Sequence, residues 1–132
     1  FPHHNLTCQL PEHAEITQSN HRSIGQAIEN IVRNALRYTP QDGQVKMNLQ
    51  AQNGHFHLTV QDEGPGVPEQ HLSDIFTPFF RINKSRDKTP EGFGLGLALT
   101  LRHIKAVGGS VTAKNLKGSG LEISILIPRG QM

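Results

Sequence analysis

Along residues 24–38 the apolar side chains fall at helical spacing: Ile24, Ala27, Ile28, Ile31, Val32, Ala35 and Leu36 share one broad arc on a wheel of about 100° per residue. The arc predicts an amphipathic helix facing a core, stopping near Tyr38 because Pro40 disfavours helical geometry just before it. Two runs of strict alternation follow. Val45, Met47 and Leu49 alternate with Lys46, Asn48 and Gln50, and Phe56, Leu58 and Val60 alternate with His57, Thr59 and Gln61. Period two predicts two antiparallel strands with one buried face, and Asn53-Gly54 between them is a strong hairpin signal. A second helix, with Leu97, Ala98, Leu101 and Ile104 on one side, starts directly after alternating glycines and is stopped by Gly108-Gly109. Residues 110–114 and 121–127 alternate again, joined by a Gly118-Ser119-Gly120 turn and closed by Pro128. At the front, residues 5–10 alternate and end at Pro11, as a short edge strand does. Ser19, Asn20 and Ser23 are candidate caps for the first helix. The predicted order is strand, helix, hairpin, irregular stretch, helix, hairpin.

Polar residues on the first helix do not read as an ordinary solvated face. Asn30, Asn34, Arg37 and Tyr38 gather on the flank of the apolar arc, within roughly a quarter of the circumference. Asparagine is a poor interior helix residue because its side chain competes for backbone hydrogen bonds. Two of them beside a core stripe either solvate a surface helix or bind something. Side-chain carbonyls suit a hard cation such as Mg²⁺, which takes few protein ligands together with phosphate oxygens and water, and Arg37 can meet phosphate as a planar donor fork.

The irregular stretch carries more candidate chemistry. In DEGPGVPEQ, from Asp62, the residues Gly64, Pro65, Gly66 and Pro68 forbid regular structure. A carboxylate at the end of a buried strand, followed by glycines, can accept from the exocyclic amine of a base; it can also be a plain turn. Residues 71–76 predict a helical turn leading into FTPFFR, where Phe76, Phe79 and Phe80 cluster either as core or as something else. Residues 82–92 then form a charged loop with Lys84, Arg86 and Lys88, entered through Arg81. Structureless loops of this length are often lids. This one ends in GFGLGLAL, where glycines at a helix start let backbone N–H groups approach an anion. The Walker Lys-Ser/Thr is missing, and a charged loop rather than a strand precedes the glycines, so neither standard phosphate motif applies.

A chain of 132 residues fits one domain, and with no Trp its core should be mainly Ile, Leu and Val. A net charge of +2 is too small to imply nucleic acid. Cys8 is the single cysteine, which excludes an internal disulfide and makes a reducing compartment the simpler inference. No apolar run approaches the length that crosses a bilayer, and nothing resembles a signal peptide. A start at Phe1 rather than Met points to a piece of a longer protein.

Taken together, these segments closely resemble the catalytic, ATP-binding domain of bacterial two-component sensor histidine kinases, within the gyrase-type (Bergerat) ATPase superfamily. NIVRNALRYTP matches the Asn box, DEGPG the first glycine box, FTPFFR the Phe box and GFGLGLAL the second glycine box, in the family's order and over nearly the whole chain. The resemblance implies an α/β two-layer sandwich spanning residues 1–132: a mixed, mostly antiparallel sheet covered on one face by helices, with an ATP lid at about 81–96. It implies ATP and Mg²⁺, with Asn34 ligating the metal and Asn30 assisting at metal or phosphate. Arg37 would contact phosphate, Tyr38 would lie near adenine or ribose, Asp62 would accept from the adenine amino group, and Gly64 and Gly66 would shape the base pocket. Lys84 and Arg86 would belong to the lid, Gly92 to its glycine hinge, and the amides of Gly94, Leu95, Gly96 and Leu97 would touch the phosphates.

Gyrase-like relatives carry a glutamate general base one turn before the metal-binding Asn; here that position is Asn30, which cannot take a proton. No general base is assigned in this chain, and Glu29 next door points roughly 100° away. The implied activity is therefore that of a protein-histidine kinase, delivering the γ-phosphoryl group to a histidine on a separate dimerisation domain of the same protein, with a response regulator downstream. The domain is expected to be cytoplasmic within an inner-membrane sensor, to touch neither nucleic acid nor membrane, and to be monomeric and inactive alone within a homodimeric whole. Glu91 and Phe93 replace a glycine and a threonine of the second glycine box, the Asp common before the long helix is missing from SNHRS, and none of the eight histidines stands in an acceptor context. Two other readings remain: a gyrase-like ATPase or serine kinase on the same fold, and a degenerate interaction module in which Phe93 fills the adenine space.

Overall fold

The computed structural model describes residues 5–9, 21–80 and 96–128. The first helix, α1, is His21–Tyr38. Its apolar residues at i, i+3, i+4 spacing go into the core, with Ile24, Ala27, Ile31 and Ala35 all buried. It starts three residues before Ile24, so Ser23 lies inside the first turn and is not the cap that its residue type predicts. The Thr39 N–H still donates to the Ala35 carbonyl at 3.1 Å; Pro40, with no N–H to give, stops the ladder.

The strands are β1 (Asn5–Gln9), β2 (Gln44–Gln52), β3 (His55–Gln61), β4 (Ser110–Asn115) and β5 (Leu121–Pro128). Among the described residues they form one sheet in the order β1-β2-β3-β5-β4. β1 lies at its edge and pairs parallel with β2; the other three pairings are antiparallel. The mixed, mostly antiparallel sheet is the predicted one. Asn53 and Gly54 take φ of 40° and 80°, the two left-handed positions of a tight hairpin turn whose twist suits the strands it joins. That turn sets Met47 opposite Val60 and Leu49 opposite Leu58. β5 then docks along β3, with Phe56, Leu58 and Val60 facing Ile127, Ile125 and Ile123. The consequence for the site is positional: the last residue of β3, Gln61, stands opposite Glu122 at the start of β5.

The second helix, α2, is Gly96–Ala106 and buries Leu97, Thr100 and Ile104. The expected stripe of Leu97, Ala98, Leu101 and Ile104 is turned toward Thr100, leaving Ala98 and Leu101 half-buried. A buried threonine is tolerated because its hydroxyl donates to the Gly96 carbonyl at 3.0 Å and reaches the Ala27 carbonyl of α1 at 3.4 Å, joining the two helices. The helix ends as its glycines predict: Gly108, at φ 82°, donates to the Lys105 carbonyl and Gly109 to that of Ile104. One face of the sheet is thereby covered by α1 and α2 over a core of Ile, Leu, Val, Ala and Phe56. Between the two halves, the turn predicted at 71–76 is a pair of short 3-10 turns, Glu69–His71 and Asp74–Phe76. The phenylalanines that follow do not act together. Phe76 packs on the margin of the core, Phe80 leans on His71 with ring centroids 5.2 Å apart, and Phe79 is 67 % exposed at φ 66°.

If packing of the α1 stripe supplies the stability, Ile31→Ala is expected to lower the unfolding free energy by about 2–5 kcal/mol. Arg33→Ala, which removes an exposed ion pair to Glu29 at 2.7 Å, should cost less than about 1 kcal/mol. Urea denaturation of both variants distinguishes the two effects.

Candidate nucleotide site

The residue after β3, Asp62, is only 6 % exposed. Its N–H donates to the Leu121 carbonyl at 3.0 Å, continuing the β3–β5 pairing one step beyond the strands. Its side-chain Oδ1 accepts two backbone N–H groups, from Gly64 at 2.9 Å and Leu121 at 3.1 Å. Among the described residues no donor reaches Oδ2. Burial pushes the carboxyl above its ordinary value, and the N–H groups of Gly64 and Leu121 pull it partly back. A buried polar oxygen normally has a partner; the two described hydrogen bonds to this carboxylate both fall on Oδ1.

The loop that follows cannot satisfy itself, since Pro65 and Pro68 lack N–H groups. Its bonds go instead to side chains from elsewhere. Val67 donates to Asn115 Oδ1 at 2.8 Å and accepts from Asn115 Nδ2 at 2.6 Å, and the Gly64 carbonyl accepts from the Ser119 hydroxyl at 2.7 Å. On its other side the loop meets the end of α1. A Cβ at Gly64 would lie 2.7 Å from the Tyr38 carbonyl oxygen, so glycine is what permits the approach. Gly120, at φ 111°, is similarly obligatory, because a side chain there would collide with the Asp62 carbonyl. Glu63 completes the stitching: its N–H donates to the buried Thr39 hydroxyl at 3.2 Å and its carboxylate accepts from the Gln44 N–H at 2.6 Å.

The end of α1, the Asp62–Gly66 loop and the β4–β5 turn thus converge. Asn30 and Asn34 lie half-buried on the flank of α1, and among the described residues no cluster of three His, Cys, Asp or Glu could hold a metal. Amide carbonyls such as theirs are oxygen donors of the hard kind that Mg²⁺ accepts. Arg37 is half-buried with its guanidinium 5.7 Å over the ring of Tyr38, which is 42 % exposed. Glu29 is engaged on the outer face by Arg33. Gly96 and Leu97 form the first turn of α2; the Leu97 side chain is in the core, which leaves its backbone for the helix N-terminus. Lys84, Arg86, Gly92, Gly94 and Leu95, with Glu91, Phe93 and all of the expected lid but Gly96, lie outside the described residues. The residues that sequence reading missed are Asn115, Ser119 and Leu121. The Gly118-Ser119-Gly120 cluster read only as a hairpin turn, and nothing local shows that its side chains reach across to residues 64–67.

Residues 19–131 match the family model described as histidine kinase-, DNA gyrase B-, and HSP90-like ATPase. The sensor protein PfeS of Pseudomonas aeruginosa is 43 % identical over 106 residues, covering 80 % of this chain and 23 % of its own length. The chain spans about a fifth of the length of the curated relatives it matches. Among solved structures, the mycobacterial sensor histidine kinase MprB is similar with a TM-score of 0.80 at 29 % identity, over 98 % of this chain and 85 % of that one. Full-length ShkA in complex with AMPPNP is similar with a TM-score of 0.78 at 26 % identity, over 98 % of this chain and 26 % of that one.

A buried, desolvated carboxylate has a stability signature. Because burial raises the Asp62 pKa, the native state holds this proton more tightly than the unfolded chain does. The corresponding stability is present below the ordinary carboxylate range and lost as pH rises through the raised value. Asp62→Asn keeps an oxygen for the Gly64 and Leu121 N–H groups and removes the charge. It is expected to melt higher than the wild type at neutral pH, with the gap closing toward about pH 4; thermal melts across that range check this, and a gap independent of pH would contradict it.

Proposed function

Since the chain belongs to the histidine kinase-, DNA gyrase B-, and HSP90-like ATPase family, as the ATP-binding catalytic domain of a sensor histidine kinase, we propose that it binds Mg-ATP and supplies the γ-phosphoryl group for autophosphorylation. The recipient in this reading is a histidine on a separate dimerisation domain of the same protein. The observation that carries the proposal is Asp62: a buried carboxylate with one oxygen fixed by the Gly64 and Leu121 N–H groups and the other facing no described donor. The exocyclic amine of adenine is the donor that such an oxygen suits. That ShkA was solved with AMPPNP supports a nucleoside triphosphate as the ligand of this fold.

Each residue then has a task in binding and positioning. Gly64 and Gly66 form the wall beside the base, and Tyr38 lies near base or ribose. Asn34, assisted by Asn30, offers side-chain oxygens to Mg²⁺, and Arg37 meets phosphate. The backbone of Gly96 and Leu97 presents the positive end of α2 to phosphate, joined from the lid by Gly92, Gly94, Leu95, Lys84 and Arg86. When bound, Mg-ATP would supply the phosphoryl group and charge neutralisation for its transfer, and Asn34, Asn30 and Arg37 would hold and orient it. Water is a poor competitor for it, because Asn30 cannot accept a proton and Glu29 is held by Arg33 on the outer face at 2.7 Å. That pairing favours the kinase over a gyrase-like hydrolase. No helix among the described residues is long and apolar enough to cross a membrane. In this reading the chain is a cytoplasmic domain of a larger inner-membrane, homodimeric sensor that passes its phosphoryl group on to a response regulator.

Calorimetry with an ATP analogue and Mg²⁺ tests the proposal. The wild type is expected to bind, and Asp62→Ala and Asn34→Ala each to weaken binding, the former by about 1–3 kcal/mol. Unchanged affinity in both variants would contradict it, and appreciable steady-state ATP hydrolysis by the chain alone would favour the hydrolase.

A further inference from the structure

Resting on that reading, we propose that Asn115 is a positioning residue that sets the preference for adenine. Asn115 is the last residue of β4 and stands opposite Leu121 in the β4–β5 register. Leu121 supplies one of the two N–H groups that fix Asp62 Oδ1. In the other direction, the Asn115 amide pairs with both backbone groups of Val67, accepting from its N–H at 2.8 Å and donating to its carbonyl at 2.6 Å, with a further bond to Glu69 Oε1 at 3.2 Å. A side-chain amide carries a donor and an acceptor side by side, which an ionised carboxylate does not. The side chain does for Val67 what a neighbouring strand would do, in a loop whose flanking prolines allow no strand. The fit is close: a Cβ at Gly66 would stand 2.7 Å from Asn115 Oδ1. One side chain therefore holds the wall of the base pocket in register with the carboxylate that reads the base.

A wall free to drift should cost base readout and leave phosphate binding alone. The test compares affinity for ATP and for inosine triphosphate, which lacks the 6-amino group, using the 132-residue chain with Mg²⁺. The wild type is expected to prefer ATP. Asn115→Ala and Asn115→Asp, the latter without the donor and facing Glu69, are expected to lose about tenfold in ATP affinity with little change for inosine triphosphate, so that the ratio falls toward one. Equal losses for both nucleotides, or no loss, would overturn the assignment. If neither variant folds, amide exchange in the wild type decides: slow exchange at Val67 without nucleotide supports the clamp, and free exchange refutes it. A wild type that binds neither nucleotide defeats the functional reading itself, whereas a wild type that binds ATP beside variants with an unchanged ratio defeats this inference alone.

Discussion

Two backbone N–H groups converge on a single carboxylate oxygen, Asp62 Oδ1, and much of the architecture serves that meeting. One comes from Gly64, two residues on, and bends the chain sharply at the end of β3. The other comes from Leu121, which is near only because β5 docks against β3. Glycine is needed at 64 for the end of α1 to approach, and at 120 because anything larger would strike the Asp62 carbonyl. The two N–H bonds offset only part of the desolvation, so the carboxyl stays above its ordinary pKa. In the proposed reading this local cost is tolerated because the carboxylate reads the base, while the Ile, Leu and Val core supplies the stability.

The sheet and helices were legible in the sequence because their periods are local. Ile24, Ala27, Ile31 and Ala35 announce α1, the alternation at 56, 58 and 60 announces β3, and Asn53-Gly54 announces the turn before it. Where a side chain answers to a partner far along the chain, the pattern fails. Thr100 does not look like a core residue until its hydroxyl meets the carbonyl of Ala27, 73 positions away. Asn115 and Ser119 bond to Val67 and Gly64 across 48 and 55 positions. Phe79 sits among aromatics that could have packed together, but its positive φ turns it out to solvent. For the candidate site, residue type singled out Asp62, Gly64, Gly66, Asn30 and Asn34, and the family resemblance supplied the roles proposed for them; the structure adds that Asp62 is buried and that Gly64 and Gly66 are closely packed. What holds the loop in place was invisible, since it depends on which strand end lies beside which.

The division of labour on α1 has a similar logic. The buried stripe fixes the helix against the sheet and α2, the outer face ties Glu29 to Arg33, and the strip between them carries Asn30, Asn34 and Arg37 half-buried. In the proposed reading, this strip offers neutral oxygens and a fixed cation to a metal and its phosphates without offering a base to water. A phosphoryl group can then wait for a nucleophile brought by another domain.

The most direct measurement is a crystal structure of the chain with Mg²⁺ and a non-hydrolysable ATP analogue. The adenine amino group should lie within about 3 Å of Asp62 Oδ2, with Oδ1 still bonded to Gly64 and Leu121. A nucleotide bound elsewhere, or an adenine that leaves Oδ2 without a donor, would contradict the central role given to this carboxylate.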